Sequence, residues 1–115
     1  MTSAGQLRDR LRFEQRGLDA NGDRLGDWDA DNGLTRSARV VFRRGSEAVL
    51  QQRLQGVQPL DITIRSDAAS RLITTDWRAV DTRSGQTFNL LAVAPDEGRA
   101  YITFLAEDNG NGGGG

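Results

Sequence analysis

Read for the spacing of its apolar positions, the chain is a series of short strands broken by turn chemistry. Leu11 and Phe13 alternate with Arg10, Arg12 and Glu14, the period-two pattern of a half-buried strand over 11–15. Gly17, Gly22 and Gly26, set among Asp and Asn residues, predict a long exposed loop over 16–27. Alternation resumes over 37–42, with Ala38, Val40 and Phe42 on one side and Arg39 opposite. Segment 60–65 alternates again, and Pro59 is tolerated at its start because no ladder donor is needed there. Segments 71–73, 77–81, 87–93 and 101–106 complete the β series, and Trp77 is expected in the core.

One helix interrupts the strands. Ser46 is a candidate N-cap, Glu47 suits the positive end of a helix, and Gly56 ends the run, so a helix is predicted over 46–55. Val49, Leu50 and Leu54 share an arc, and packing on the sheet through Leu50 and Leu54 is expected, with Gln51 on the wet side. The fold class that follows is mainly β: a small antiparallel barrel or sandwich of about six to seven strands with one short helix and long loops. A single domain over 1–107 is expected, with a mobile loop around 17–31. The glycine-rich tail at 108–115 is expected to be disordered, because it has no apolar area to set against chain entropy.

Composition then removes whole classes of chemistry. The chain has no cysteine and no histidine, which excludes disulfides, thiolate nucleophiles, serine–histidine triads and most zinc or iron sites. Its 15 basic residues, all arginine, nearly balance 16 carboxylates, so it lacks the summed field of a protein that holds nucleic acid by long-range attraction. No run of apolar residues is long enough to span a bilayer, and the first residues do not form a signal sequence.

The tempting motifs are weak. Asp19, Asn21 and Asp23 open like a calcium loop, but Arg24 stands where the turn needs glycine and Ala30 where a bidentate Glu is required. Asp27, Asp29 and Asp31 alternate in a polar segment with no apolar pocket to raise a carboxyl pKa, so solvated loop carboxylates are expected. Accordingly no catalytic, cofactor or metal site is assigned. Trp28, Arg43, Arg44 and Glu47 are the candidate interface residues, because tryptophan and arginine concentrate binding energy at protein contacts.

The order of these features resembles a known family. It runs from Ala4-Gly5-Gln6-Leu7-Arg8-Asp9-Arg10 into the strand Arg12-Phe13-Glu14-Gln15, then through Asp19-Ala20-Asn21-Gly22 to Trp28. Next come Arg43-Arg44-Gly45-Ser46-Glu47 with a glutamine-rich helix, Ile64-Arg65, the stretch 73–78, Phe88 to Leu90, and the Pro95-Asp96 turn. Together they resemble the phage head-tail joining, or head-closure, proteins. Thr35-Arg36-Ser37 and Arg83-Ser84-Gly85 depart from the family pattern and leave the local turn types open.

The resemblance implies a virion protein that acts as a ring, usually a dodecamer, below the portal and adaptor. There it closes the filled head and presents a docking surface to the tail, with DNA passing through the ring without specific binding. Such proteins occur in phages, prophages and gene transfer agents, and the resemblance implies no cofactor, no membrane and no enzymatic role. The alternative from another class is a small β-barrel that binds nucleic acid, which requires exposed aromatics beside a basic groove.

Overall fold

A computed structural model of the chain describes residues 7–18, 24–43, 46–95 and 100–108. Its strands are β1 (Asp9–Leu18), β2 (Arg24–Phe42), β3 (Gln58–Arg65), β4 (Arg78–Asp81), β5 (Thr87–Pro95) and β6 (Tyr101–Asp108), with one helix, α1 (Glu47–Leu54). The strands close into a six-stranded antiparallel barrel in the order β1-β2-β3-β6-β5-β4, and β4 pairs back onto β1. Closure removes the open sheet edges that a sandwich would leave, which resolves the expected choice between barrel and sandwich.

The inward residues are those the alternation selects. Leu11 and Phe13 of β1, Ala38 of β2, Leu60, Ile62 and Ile64 of β3, Phe88 and Leu90 of β5, and Ile102, Phe104 and Ala106 of β6 form one buried cluster. In this strand order β1 lies opposite β6, and β2 lies opposite β5. The contact of Phe13 with Phe104, ring centroids 5.4 Å apart, therefore joins opposite walls, as does the edge contact of Phe42 with Phe88 at 6.4 Å. The barrel interior is filled by side chains.

β3 and β4 also stand on opposite sides, so residues 66–77 cross one mouth of the barrel. Sequence alternation predicts a strand at 71–73, but Ser70–Leu72 form a short 3-10 helix. The cause is local. The Asp67 carboxylate accepts from the Ser70 N–H at 2.7 Å, while the Asp67 N–H donates to Ser70 Oγ, also at 2.7 Å. This reciprocal pair gives the backbone a turn to adopt in place of a ladder. Ile73 still enters the core, and Trp77 packs against it half-buried.

Two further expectations change. β2 starts at Arg24, so 24–31, expected within the loop, are strand residues paired with β1. Residues 19–23 of that expected loop, and 109–115 of the expected tail, lie outside the described residues, while Asp108 ends β6. The helix does form, with the Val49 N–H donating to Ser46 Oγ at 3.1 Å and Gly56 at φ 84° closing its end. Its buried residue, however, is Val49; Leu50 and Leu54 are 52% and 74% exposed. Leu50 and Leu54 share a face, but α1 packs mainly on the neighbouring β3, and its short connections turn Val49 to the barrel.

The substitution test for this helix is therefore inverted from the one periodicity suggests. Val49→Asp is expected to destabilise the fold by about 2–4 kcal/mol by burying an unpaired carboxylate, and Leu54→Asp by less than about 0.5 kcal/mol. Urea unfolding of the two variants checks this, and equal losses would refute the orientation of α1.

Candidate functional site

Two of the candidate interface residues, Arg43 and Glu47, flank the start of α1 at one mouth of the barrel. Arg43 leaves β2 with its N–H donating to the Pro59 carbonyl at 3.0 Å, and its carbonyl accepts from Gln58 Nε2 at 2.9 Å. Its guanidinium forks onto Asp61 of β3, with Nη2 to Oδ1 at 2.9 Å and Nε to Oδ1 at 3.1 Å. This geometry fixes the Arg43 side chain against its own barrel while leaving it exposed at the surface. Glu47 is the first residue of α1 and exposed. Arg44, between them in sequence, lies outside the described residues.

Trp28 is not part of this surface. It lies toward the other end of β2, opposite Arg16 of β1. Here the β1–β2 ladder continues alone. The β1–β4 ladder ends at Glu14 and the β2–β3 ladder covers only Ala38 to Phe42, so Gln15–Leu18 with Arg24–Asp29 form a two-stranded ribbon leaving the closed barrel.

The root of the ribbon holds a charge cluster that sequence reasoning missed. The register steps from Phe13 opposite Leu34 to Gln15 opposite Asp29, so Glu14 alone faces four residues, 30–33, of a wide bulge in β2. Glu14 belongs to the polar side of β1, yet it is only 1% exposed. Arg12 Nε reaches its Oε2 at 2.7 Å, and Arg78 of β4 reaches its Oε1 at 2.8 Å. Arg12 and Glu14, two apart on a strand, share a face, and that spacing was the one available signal. Nothing local indicated that the face would be covered.

A second ion pair fastens the link across the barrel mouth. Arg36 Nε meets Asp67 Oδ2 at 3.1 Å. The backbone N–H of Ser70, with help from Arg36, holds the Asp67 carboxyl below its usual range. Among the described residues, every buried side-chain nitrogen and oxygen has a hydrogen-bond partner. No group of three or more metal-ligating side chains gathers among them, and no helix among them is long and apolar enough to cross a membrane. The buried carboxylate Glu14 is committed to two arginines.

A family model described as phage head completion protein matches residues 2–109. The chain belongs to that family. Phage head completion proteins are structural components of the particle, which places this barrel among virion proteins with a part in closing the head. No curated protein matches the chain.

Two solved structures share the fold. One is a chain in the virion of a native gene transfer agent particle, 23% identical, with a TM-score of 0.56 over 86% of this chain and 91% of that one. The other is the solution structure of a Shigella flexneri 2a protein, 22% identical, with a TM-score of 0.63 over 96% of this chain and 99% of that one. A head completion protein works through surfaces, and the ribbon, the α1 mouth and the outer wall are the surfaces this barrel offers.

Proposed function

We propose that the chain is the head-closure subunit of a tailed phage or a phage-like gene transfer particle. In this reading it assembles with copies of itself into a ring at the neck between head and tail. One side of the ring meets the portal or its adaptor, and the other receives the tail. The observation that carries the reading is the family match over almost the whole chain, on a closed barrel.

The physical features support it. A ring built by rotation needs two different side surfaces on each subunit, and a barrel with a projecting ribbon on one side and a helix at the opposite mouth supplies them. DNA has no path through an individual barrel filled by Phe13, Phe88 and Phe104, so any channel lies between copies. Near balance of arginine and carboxylate lets DNA pass such a ring without strong capture. Trp28, Arg43, Arg44 and Glu47 are proposed as contacts to neighbouring subunits or to the adaptor, with Arg43 presenting a guanidinium already braced by Asp61.

The test is to assemble particles without this chain. Electron microscopy is expected to show heads that package DNA but fail to retain it, together with unattached tails, and resupplying the chain should restore joined particles. Joined, DNA-filled particles at the parental yield in its absence would refute the reading.

A further inference from the structure

The near balance of charge over the chain is not a balance over every part of its surface. On the outer wall of the barrel Arg10 of β1 stands opposite Ser37 of β2, and Arg65 of β3 lies on the other side of Ser37, because Ala38 pairs with Ile64. Two strand spacings, roughly 10 Å, separate these arginines. One step away Asp9 stands opposite Ala38, which puts Arg8 beside Arg39. All four arginines and Ser37 are exposed, and Arg10 donates to Ser37 Oγ at 3.5 Å. Among the described residues none of the four is in an ion pair. The described carboxylates around them are engaged elsewhere: Asp9 accepts from the Val40 N–H at 3.3 Å, Asp61 forks with Arg43, and Asp67 pairs with Arg36.

Like charges facing each other across a ladder repel, so this gathering of arginines costs stability, and an anion laid over the wall offsets the repulsion. The other side chains of the wall favour phosphate over a protein partner. Between the arginines stand hydroxyls: Ser37, the Thr63 and Thr103 pair with its oxygens 3.1 Å apart, and half-buried Tyr101 opposite Arg65. The apolar outward residues Val41 and Leu105 come only in the row beyond, beside Asp61. Protein interfaces centre on apolar side chains and are depleted of charge there, whereas arginine, serine, threonine and tyrosine are the side chains that hold the phosphates of DNA.

We propose that this wall faces duplex DNA in the particle, with Arg8, Arg10, Arg39 and Arg65 contacting its backbone phosphates. The proposal rests on the head-closure reading and names the face of the subunit that meets the DNA the closed head retains. Phosphate contacts carry no sequence information and let a duplex slide, so they are compatible with a ring through which DNA passes. Four contacts on each copy make binding by a single copy weak and strongly dependent on salt.

Binding of the full chain to a short DNA duplex of arbitrary sequence, followed by fluorescence anisotropy, tests the contact directly. With four phosphate contacts the affinity is expected to fall about a hundredfold between about 50 and 200 mM salt. Arg39→Gln and Arg65→Gln are each expected to weaken binding severalfold at low salt and to reduce the salt slope by about one. Arg53→Gln, which changes an exposed arginine on α1 beside Gln58 at the far end of β3, is expected to leave both unchanged. No binding at about 50 mM salt, or equal losses on changing Arg53, would overturn the proposal.

Particles supply the second readout. With Arg39→Gln and Arg65→Gln combined, heads and tails are expected to join at the parental yield, while the joined particles lose DNA to added nuclease severalfold faster. Parental retention of DNA would overturn the proposal. Unjoined particles from a variant chain that still binds the duplex like the parent would assign the wall to a protein contact, overturning the proposal and leaving the head-closure reading standing. Joined, DNA-filled particles formed without the chain would refute the head-closure reading and, with it, the place given to the wall, whatever the duplex titration shows.

Discussion

Replacing both arginines that face Glu14, as Arg12→Met with Arg78→Met, is expected to lower the stability of the barrel by about 3–5 kcal/mol. The substitution keeps an apolar stem of similar length and removes the two guanidinium groups. Glu14 is left 1% exposed, with both carboxylate oxygens stripped of the partners that sit at 2.7 and 2.8 Å. An uncompensated buried carboxylate has to take up a proton, draw in water or open the bulge, and each route costs free energy. Adding Glu14→Gln to the double variant removes the charge and is expected to recover more than half of the loss. Urea unfolding at neutral pH measures both. A double variant within about 1 kcal/mol of the parent would show that the cluster contributes little.

Phe104→Ala is expected to cost about 3–5 kcal/mol, the range for deleting a large aromatic side chain from a core. The ring is fully buried on β6 and meets Phe13 from the opposite wall, so its removal opens a cavity at the centre of the barrel rather than at its rim. Strands closed into a ladder cannot collapse into that space without breaking hydrogen bonds. Leu105→Ala, one residue along and on the half-buried outer side, is expected to cost less than about 1.5 kcal/mol. Calorimetry of the two variants provides the comparison, and similar losses would contradict the placement of the core.

These predictions rest on features of unequal visibility in the sequence. β3 and β6 were legible because alternation is written in adjacent residues and the barrel buries one face of each, whereas β5 keeps the pattern only through Phe88 and Leu90 before its register shifts. The N-cap Ser46 and the closing Gly56 were legible because capping involves neighbours a few residues apart. The strand expected at 71–73 was misread because Arg71, Leu72 and Ile73 carry an apolar signal, while the reciprocal bonds of Asp67 and Ser70 that curl the backbone lie just before it.

The face of α1 was misread for a different reason. Periodicity shows that Leu50 and Leu54 share a side, but not whether any part of the fold lies on that side. The candidate interface was legible only as residue types. Trp28 and Arg43 sit toward opposite ends of one strand, a separation that becomes visible only when β2 is seen to run from Arg24 to Phe42.

By itself the sequence determined a mainly β chain with one capped helix, without thiol or imidazole chemistry, and with the ordered motifs of a head-completion protein. All of these depend on residue identity or on spacings of a few positions. Tertiary structure alone decided that the strands close, that Phe13 meets Phe104, that Glu14 is buried between Arg12 and Arg78, and that Arg10, Arg39 and Arg65 share a wall. Those juxtapositions join residues far apart in the chain through strand order, register and a bulge, and a shift of one residue in register would turn each strand's side chains to the other face.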